Sequence, residues 1–342
     1  MKVSFKNDYS EGCHPRILDA LTKTNLEQQN GYGLDEYCVS ASNLIRNKCG
    51  SPLSKVHFVS GGTQANLLVI SAALKPFESV IAATTGHIYT NEAGAIEATG
   101  HKVNTIATED GKLTVDHITA ILDGHQNTPH VVKPKMVYIS NATEIGTIYS
   151  KKELQSLYKY CNANALYLFM DGARLGSGLM ASTSDLSLAD VAKYTDVFWL
   201  GGTKNGALIG EAIVINNADI QSDFEFHLKQ KGAMLSKGRL LGIQFNELLK
   251  DDLFFDLARH ANLQAMKLKE ALTAKGHSFL SETHTNQIFP ILPNTTIDEL
   301  SENFDFHIWK KINDSSSAIR LIASWATTDA QVASFVEALK RV

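Results

Sequence analysis

The sequence predicts an α/β protein: a mostly parallel sheet flanked by helices, followed by a smaller α+β unit. Between Lys55 and about Lys237, short apolar runs bounded by Gly, Asp and Ser alternate with segments of helical spacing. That alternation is the mark of βαβ units, whose sheet is covered on both faces. Beyond Lys237 the texture changes to a long helical stretch, short strands and a last helix. The 342 residues therefore divide into an N-terminal arm (1–50), a large α/β domain (51–237) and a small C-terminal domain (238–342).

The arm carries polar loop signals at Asn7-Asp8 and from Asn30 to Asp35, around helical spacing at Ile17, Leu18 and Leu21. An arm with glycine-rich turns needs a surface to pack on, and another subunit is a candidate. Val56 to Val59 reads as a strand that turns through Ser60-Gly61-Gly62-Thr63 into a helix ending near Leu74. Ser79 to Thr84 is the next strand, and Gly86-His87-Ile88-Tyr89 opens a helix from Asn91 to Thr99. Lys102 to Ala107 is a strand, and Thr114 caps the helix after it. Met136 to Ser140 is another strand. Ser150-x-x-Glu153 forms a capping box for Leu154 to Cys161. In the last third, Leu240 to Lys275 reads as one long helix. Strands at Gln287 to Leu292 and Ile319 to Ala323 follow, and Thr328-x-x-Gln331 caps a final helix.

The central stretch holds the chemistry. The run ALYLFM ends in Asp171-Gly-Ala-Arg174, and the run DVFWL ends in Gly201-Gly-Thr-Lys204. Two parallel strands with their crossover take roughly 30 residues, which matches the separation of Asp171 and Lys204. A carboxylate and a lysine then emerge at the same carboxyl edge of one sheet, where open α/β sheets bind ligands. An imine-forming lysine needs a roomy site that lowers its pKa; a surface lysine in a glycine turn has the same local sequence.

Other residues converge on that edge. Backbone N–H groups at Gly62 and the Thr63 hydroxyl, at a helix start, suit an anion; a plain βα turn reads the same. This is no Walker A loop, for no Gly-Lys-Ser/Thr follows. His87 follows a strand directly and could stack on a planar ring or serve as a packing residue. Arg174 and Arg320 lie in apolar strand-edge contexts and could fork a carboxylate, although single buried arginines are more often structural. Gly176-x-Gly178-x-x-Ala181 mimics a dinucleotide fingerprint but stands too far from its strand end. No metal spacing occurs among the histidines or the four scattered cysteines, so no metal is expected. A net charge of −4 gives no nucleic-acid footprint. No apolar run approaches a membrane span, and the first residues lack a signal core; a cytoplasmic enzyme is expected.

Taken together these residues resemble the threonine aldolases, of the aspartate-aminotransferase-like fold of pyridoxal-phosphate (PLP) enzymes. The matching stretches are Asn7-Asp8, Tyr32-Gly33-x-Asp35, Gly62-Thr63-Gln64-Ala65-Asn66, His87 with Glu92-Ala93-Gly94, Asp171-Gly-Ala-Arg174, Thr203-Lys204 with Gly210, and Arg320-Leu. The resemblance implies that Lys204 forms the Schiff base with PLP and that Asp171 pairs with the pyridinium nitrogen. It implies His87 against the ring, Gly62 and Thr63 at the phosphate, and Arg174, Arg320 and Asn7 at the substrate carboxylate. Asn7 stands where a serine is common. Tyr32 and the segment from Lys237 to Arg239 look like parts that reach a site shared across a homodimer or homotetramer.

The chain departs from the family at Asn141-Ala-Thr-Glu144-Ile-Gly146, where many of these aldolases carry Glu-Asn-Thr-His-Asn-Gly. The histidine associated with the β-hydroxyl is replaced by Glu144, whose pKa burial is expected to raise. The resulting expectation is PLP-dependent retro-aldol cleavage of a β-hydroxy-α-amino acid to glycine and an aldehyde, with Glu144 as base. β-Elimination or racemisation on the same fold is the alternative, and a non-catalytic ligand-binding or interaction protein is the alternative from another class.

Overall fold

The computed structural model describes residues 2–341. After a two-residue strand β1 (Val3–Ser4), seven strands form one sheet: β2 (Lys55–Val59), β3 (Glu78–Ala83), β4 (Val103–Ile106), β5 (Lys133–Ser140), β6 (Tyr167–Asp171), β7 (Val197–Gly201) and β8 (Glu211–Ile215). Their spatial order is β2-β8-β7-β6-β5-β3-β4. Every neighbouring pair is parallel except those of β8, which runs antiparallel to both β2 and β7. The carboxyl ends of the other six strands and the start of β8 therefore share one edge.

The apolar runs have no polar alternation because both sheet faces are covered. Successive side chains point to opposite faces: Ile81, Val137, Leu168, Phe198 and Val214 enter one core, while Val80, Met136, Phe169, Trp199 and Ile213 enter the other. Asp171 and Lys204 do sit on adjacent parallel strands, at the end of β6 and three residues past β7.

The remaining strands belong mostly to a smaller sheet. Strands β9 (Gln287–Ile288) and β10 (Ile291–Pro293) pair with β13 (Ser316–Ile322), as does β12 (His307–Lys311), all antiparallel. Strand β11 (Phe304–Asp305) pairs in parallel with β1, so the first residues join this unit. Its core gathers Phe5, Leu268, Ile288, Ile319 and Phe335.

Three expectations are corrected. The helix expected over Asn91 to Thr99 is a four-residue helix, His87–Thr90, and a 3₁₀ turn, Glu97–Thr99. Between them Ala93 and Gly94 take positive φ, which a right-handed helix cannot hold. The stretch from Leu240 to Lys275 is two helices, Arg239–Leu249 and Leu253–Ala274. Asp251 and Asp252, both at positive φ, break it, and aspartate is among the residues that tolerate that conformation. Finally, the arm contains an unforeseen helix, Glu36–Cys49, with Asp35 accepting the Cys38 N–H at 2.8 Å as its cap. Gly176 and Gly178 lie in the buried helix Leu175–Leu179, where Asn205 and Phe254 crowd Gly176; they serve packing.

Candidate active site

Two adjoining cavities open at the carboxyl edge of the large sheet. The inner, about 210 Å3, is walled by Gly62, Thr63, Asn66, Asp171, Trp199 and Glu211 among others. The outer, about 490 Å3, reaches Tyr9, His307, Trp309 and Arg320. His87, Glu144, Arg174 and Lys204 line both.

Asp171 is buried at the end of β6. Its Oδ2 accepts from Asn66 Nδ2 at 3.0 Å and from the Tyr138 hydroxyl at 2.6 Å, and its Oδ1 from the Ala173 N–H at 2.9 Å. Burial, and then the Asp171 charge, push the Tyr138 phenol well above its usual range, so it donates. The glycine after Asp171 is required sterically: a Cβ on Gly172 would lie 1.7 Å from the Trp199 carbonyl oxygen. Asn66 is a hub, since its Nδ2 also reaches Glu92 at 2.7 Å and its Oδ1 accepts from Trp199 Nε1 at 3.1 Å.

Lys204 follows β7 in a turn stitched to β8. The Gly202 and Thr203 N–H groups both donate to the Gly210 carbonyl, and Gly202 N–H also donates to Glu211 Oε2 at 2.8 Å. Burial, and then Arg174, lower the Lys204 pKa against the opposing pull of Asp8, Asp171 and Glu211. Glu211, opposite Gly201 in the sheet register, is pushed up to about 7 by burial.

His87 caps β3. Its Nδ1 lies 2.8 Å from Glu92 Oε1, and its backbone N–H donates to Glu144 Oε1 at 2.9 Å. Burial alone would lower its pKa, but the Glu92 bond and the Asp171 charge win and raise it. Ser140 donates to the same Glu144 oxygen at 2.8 Å; among the described residues, none is bonded to Glu144 Oε2. Burial and then the Asp171 charge raise the Glu144 pKa, while the Ser140 and backbone donors oppose them.

The arginines differ. Arg174 is engaged by Asp8, Nε to Oδ2 at 2.7 Å and Nη2 to Oδ1 at 2.9 Å. Arg320 Nε is buried with no hydrogen-bond partner among the described residues, and its guanidinium lies 4.9 Å over the Trp309 ring. Burial, then Arg174, push its pKa down to about 10.

Two sequence candidates lie outside the cavity walls. The Asn7 Oδ1 accepts from the Tyr9 N–H at 3.0 Å and from the Ser10 hydroxyl at 2.8 Å, ordering the loop that carries Asp8. Tyr32 is half exposed and lines a separate cavity of about 310 Å3 with Met234, Leu235 and Gly238. Conversely, sequence reasoning passed over Asp8, Asn66, Glu92, Tyr138, Trp199 and Glu211. Asp8, Asn66 and Glu92 stood inside quoted motifs, and a buried carboxylate or amide needs partners, which was the available signal.

The residues present suit PLP. A carboxylate held by three donors, a buried amine with a lowered pKa, and a helix start lacking a first side chain all face one cavity. At that start Gly62 is obligatory, since a Cβ there would lie 2.8 Å from the Trp199 ring. Fold and site together define an aspartate-aminotransferase-like enzyme of the PLP-dependent class. The beta-eliminating lyase family model matches residues 8–294, and the chain belongs to that family. It is 33% identical to the low specificity L-threonine aldolase of Pseudomonas aeruginosa, over 94% of this chain and 93% of that one. A second such aldolase, from Pseudomonas sp. (strain NCIMB 10558), is 32% identical over 96% and 94%. The Leishmania major threonine aldolase structure superposes with a TM-score of 0.98 at 48% identity, covering 99% of both chains. Thermus thermophilus aspartate aminotransferase, at TM-score 0.75 and 16% identity over 99% of this chain and 91% of that one, shares the fold. The family's cofactor is PLP.

Proposed function

We propose that this chain is a low-specificity L-threonine aldolase, cleaving threonine, allo-threonine or phenylserine-type substrates to glycine and an aldehyde. One observation carries the reading: Lys204, the Asp171 carboxylate and two arginines converge on one pair of cavities, in a chain of this family. PLP, when bound, supplies the electron sink for the pair left as Cα–Cβ breaks.

The roles follow from the contacts. Lys204 is assigned to anchor the cofactor, its lowered pKa making the neutral amine accessible. Asp171, immobilised by its three donors, is assigned to the cofactor's ring nitrogen. Gly62 and Thr63, at the start of the helix Gly62–Ala73, take the phosphate through N–H and hydroxyl donors. His87, its ring fixed by Glu92, covers the cofactor ring. Arg174 and Arg320 bind the substrate carboxylate and so orient the Cα–Cβ bond, with Asn7 supporting from the arm. Glu144, which faces both cavities, removes the β-hydroxyl proton.

A homodimer or homotetramer supplies Tyr32 and the Lys237 to Arg239 segment to a neighbour's site. Support comes from apolar side chains left on that side of the arm: Leu26, Leu34 and Val39 are 92%, 72% and 50% exposed. Four free, buried cysteines suit the cytoplasm, and no described helix is long and apolar enough to cross a membrane. The test is borohydride reduction of the PLP-loaded protein, followed by peptide mapping. The cofactor should be fixed on the peptide containing Lys204, and Lys204→Ala should hold PLP only loosely; fixation on another lysine overturns the assignment.

A further inference from the structure

We propose that Asp8 is a positioning residue for carboxylate recognition: it neutralises and orients Arg174, leaving Arg320 as the arginine whose charge the substrate carboxylate answers. This rests on the reading of the Lys204 cavities as an amino-acid site. Asp8 is fully buried, and both of its oxygens are committed. Oδ1 accepts from Arg174 Nη2, and Oδ2 accepts from Arg174 Nε at 2.7 Å and from Asn286 Nδ2 at 2.9 Å. The same Asn286 amide donates to the Ala323 carbonyl at 3.0 Å, and the Asn286 N–H to Ser177 Oγ at 3.0 Å. The carboxylate is thus braced from β6's outgoing turn and from the small sheet at once.

Charge counting explains why the brace is needed. Arg174 and Arg320 bring two guanidinium charges to the outer cavity, and an unpaired buried charge is expensive. Asp8 cancels one. Its two bonds occupy the Nε and Nη2 edge of Arg174, so Arg174 can offer a fixed Nη1 edge but little net charge. Arg320 has no ion-pair partner among the described residues, and its Nε has no acceptor. One carboxylate entering the cavity then meets one unanswered arginine and one aimed hydrogen-bond donor. Bidentate geometry makes such an arrangement selective for a planar anion.

The arm holds this pair in place from its own side. Phe5 accepts from the Ile322 N–H at 2.8 Å, two residues from Arg320 on β13, and Asp8 stands three residues after Phe5. One short segment therefore touches the supports of both arginines.

Glycine binding to the PLP-loaded protein, followed by its visible absorbance, tests the proposal without turnover. Asp8→Asn keeps the shape but removes the charge and one acceptor. It should raise the glycine Kd about tenfold or more while PLP is retained. The effect should vanish in an Arg174→Lys background and persist in an Arg320→Lys background, a pattern that general destabilisation would not produce. Unchanged or tighter glycine binding in Asp8→Asn overturns the proposal, since freeing a cation would then have helped. Should Asp8→Asn fail to fold, Asn286→Ala gives the same reading: a smaller rise in Kd supports it and an unchanged Kd overturns it. Absence of a visible band from the wild-type protein with PLP would instead remove the Lys204 reading, and this inference with it.

Discussion

Glu144 shows how a single position combines structure and chemistry. Its Oε1 is spent on the His87 N–H and the Ser140 hydroxyl, so only the other oxygen is available to a substrate. Burial and the Asp171 charge raise its pKa, and a carboxyl proposed as base must be ionised to accept a proton. The acid limb of the pH–rate profile should therefore lie above the ordinary carboxyl range. Ser140→Ala removes a donor to the charged form, so that limb should move further up; no movement would show that the limb belongs to another group. Glu144→Gln should cut cleavage of threonine, allo-threonine and phenylserine by roughly 10²-fold or more while glycine still binds. Turnover at the parent rate would make Glu144 structural. Asp171→Asn should retain PLP and lose turnover, measured by cofactor absorbance beside the rate. The residues that converge here were legible in the sequence where a strand end named them, as with Asp171, Lys204 and His87. Asp8 and Glu92 stood in quoted motifs without a role, and Glu211 went unnoticed. What matters is the burial of each beside its partner: Arg174, 166 residues on, for Asp8, the His87 ring for Glu92 and the Gly202 N–H for Glu211.

At the level of elements, the seven strands could be read as apolar runs because two cores demand apolar side chains on both faces. What escaped was decided by local conformation or by edges. The helix after His87 stops at the positive φ of Ala93 and Gly94, which no apolar spacing records. Strand β12, HIWKK, is an outer strand with Ile308, Lys310 and Lys311 exposed and reads as polar loop. The helix Glu36–Cys49 buries Cys38, Ala41, Ser42, Ile45 and Cys49 at helical spacing, but side chains so small make a faint apolar stripe. The turn at Gly62 gives an element-scale prediction. Gly62→Ala would press on the Trp199 ring, whose Nε1 anchors Asn66, which in turn holds Asp171. Overpacking of this sort costs about 1–3 kcal/mol. The variant should melt earlier and bind PLP more weakly, by calorimetry and equilibrium dialysis; unaltered PLP affinity would exclude the Gly62 turn from cofactor binding.

For the whole molecule, the arm's first described strand and the small C-terminal unit share one core. Phe5 is fully buried among Phe304 and Phe335, so Phe5→Ala should destabilise the protein by about 3–5 kcal/mol. Denaturant titration measures it, and a change below 1 kcal/mol would mean the small unit stands without the arm. Sedimentation of the intact protein should give a dimer or tetramer, and a monomer at micromolar concentration would leave Tyr32 with no neighbour to serve. The pairing of Val3 with Phe304 also sets an order of events during synthesis. The segment carrying Val3 and Asp8 is made before the whole large sheet, and its partners Phe304 and Asn286 after it, so it waits unpaired while that sheet forms. A stalled nascent chain ending before β9 should be cut by added protease within residues 3–8, whereas the released chain should resist there. For the same reason the outer cavity is completed only once β13, with Arg320, has emerged, so the growing chain can bury its large sheet well before that cavity exists.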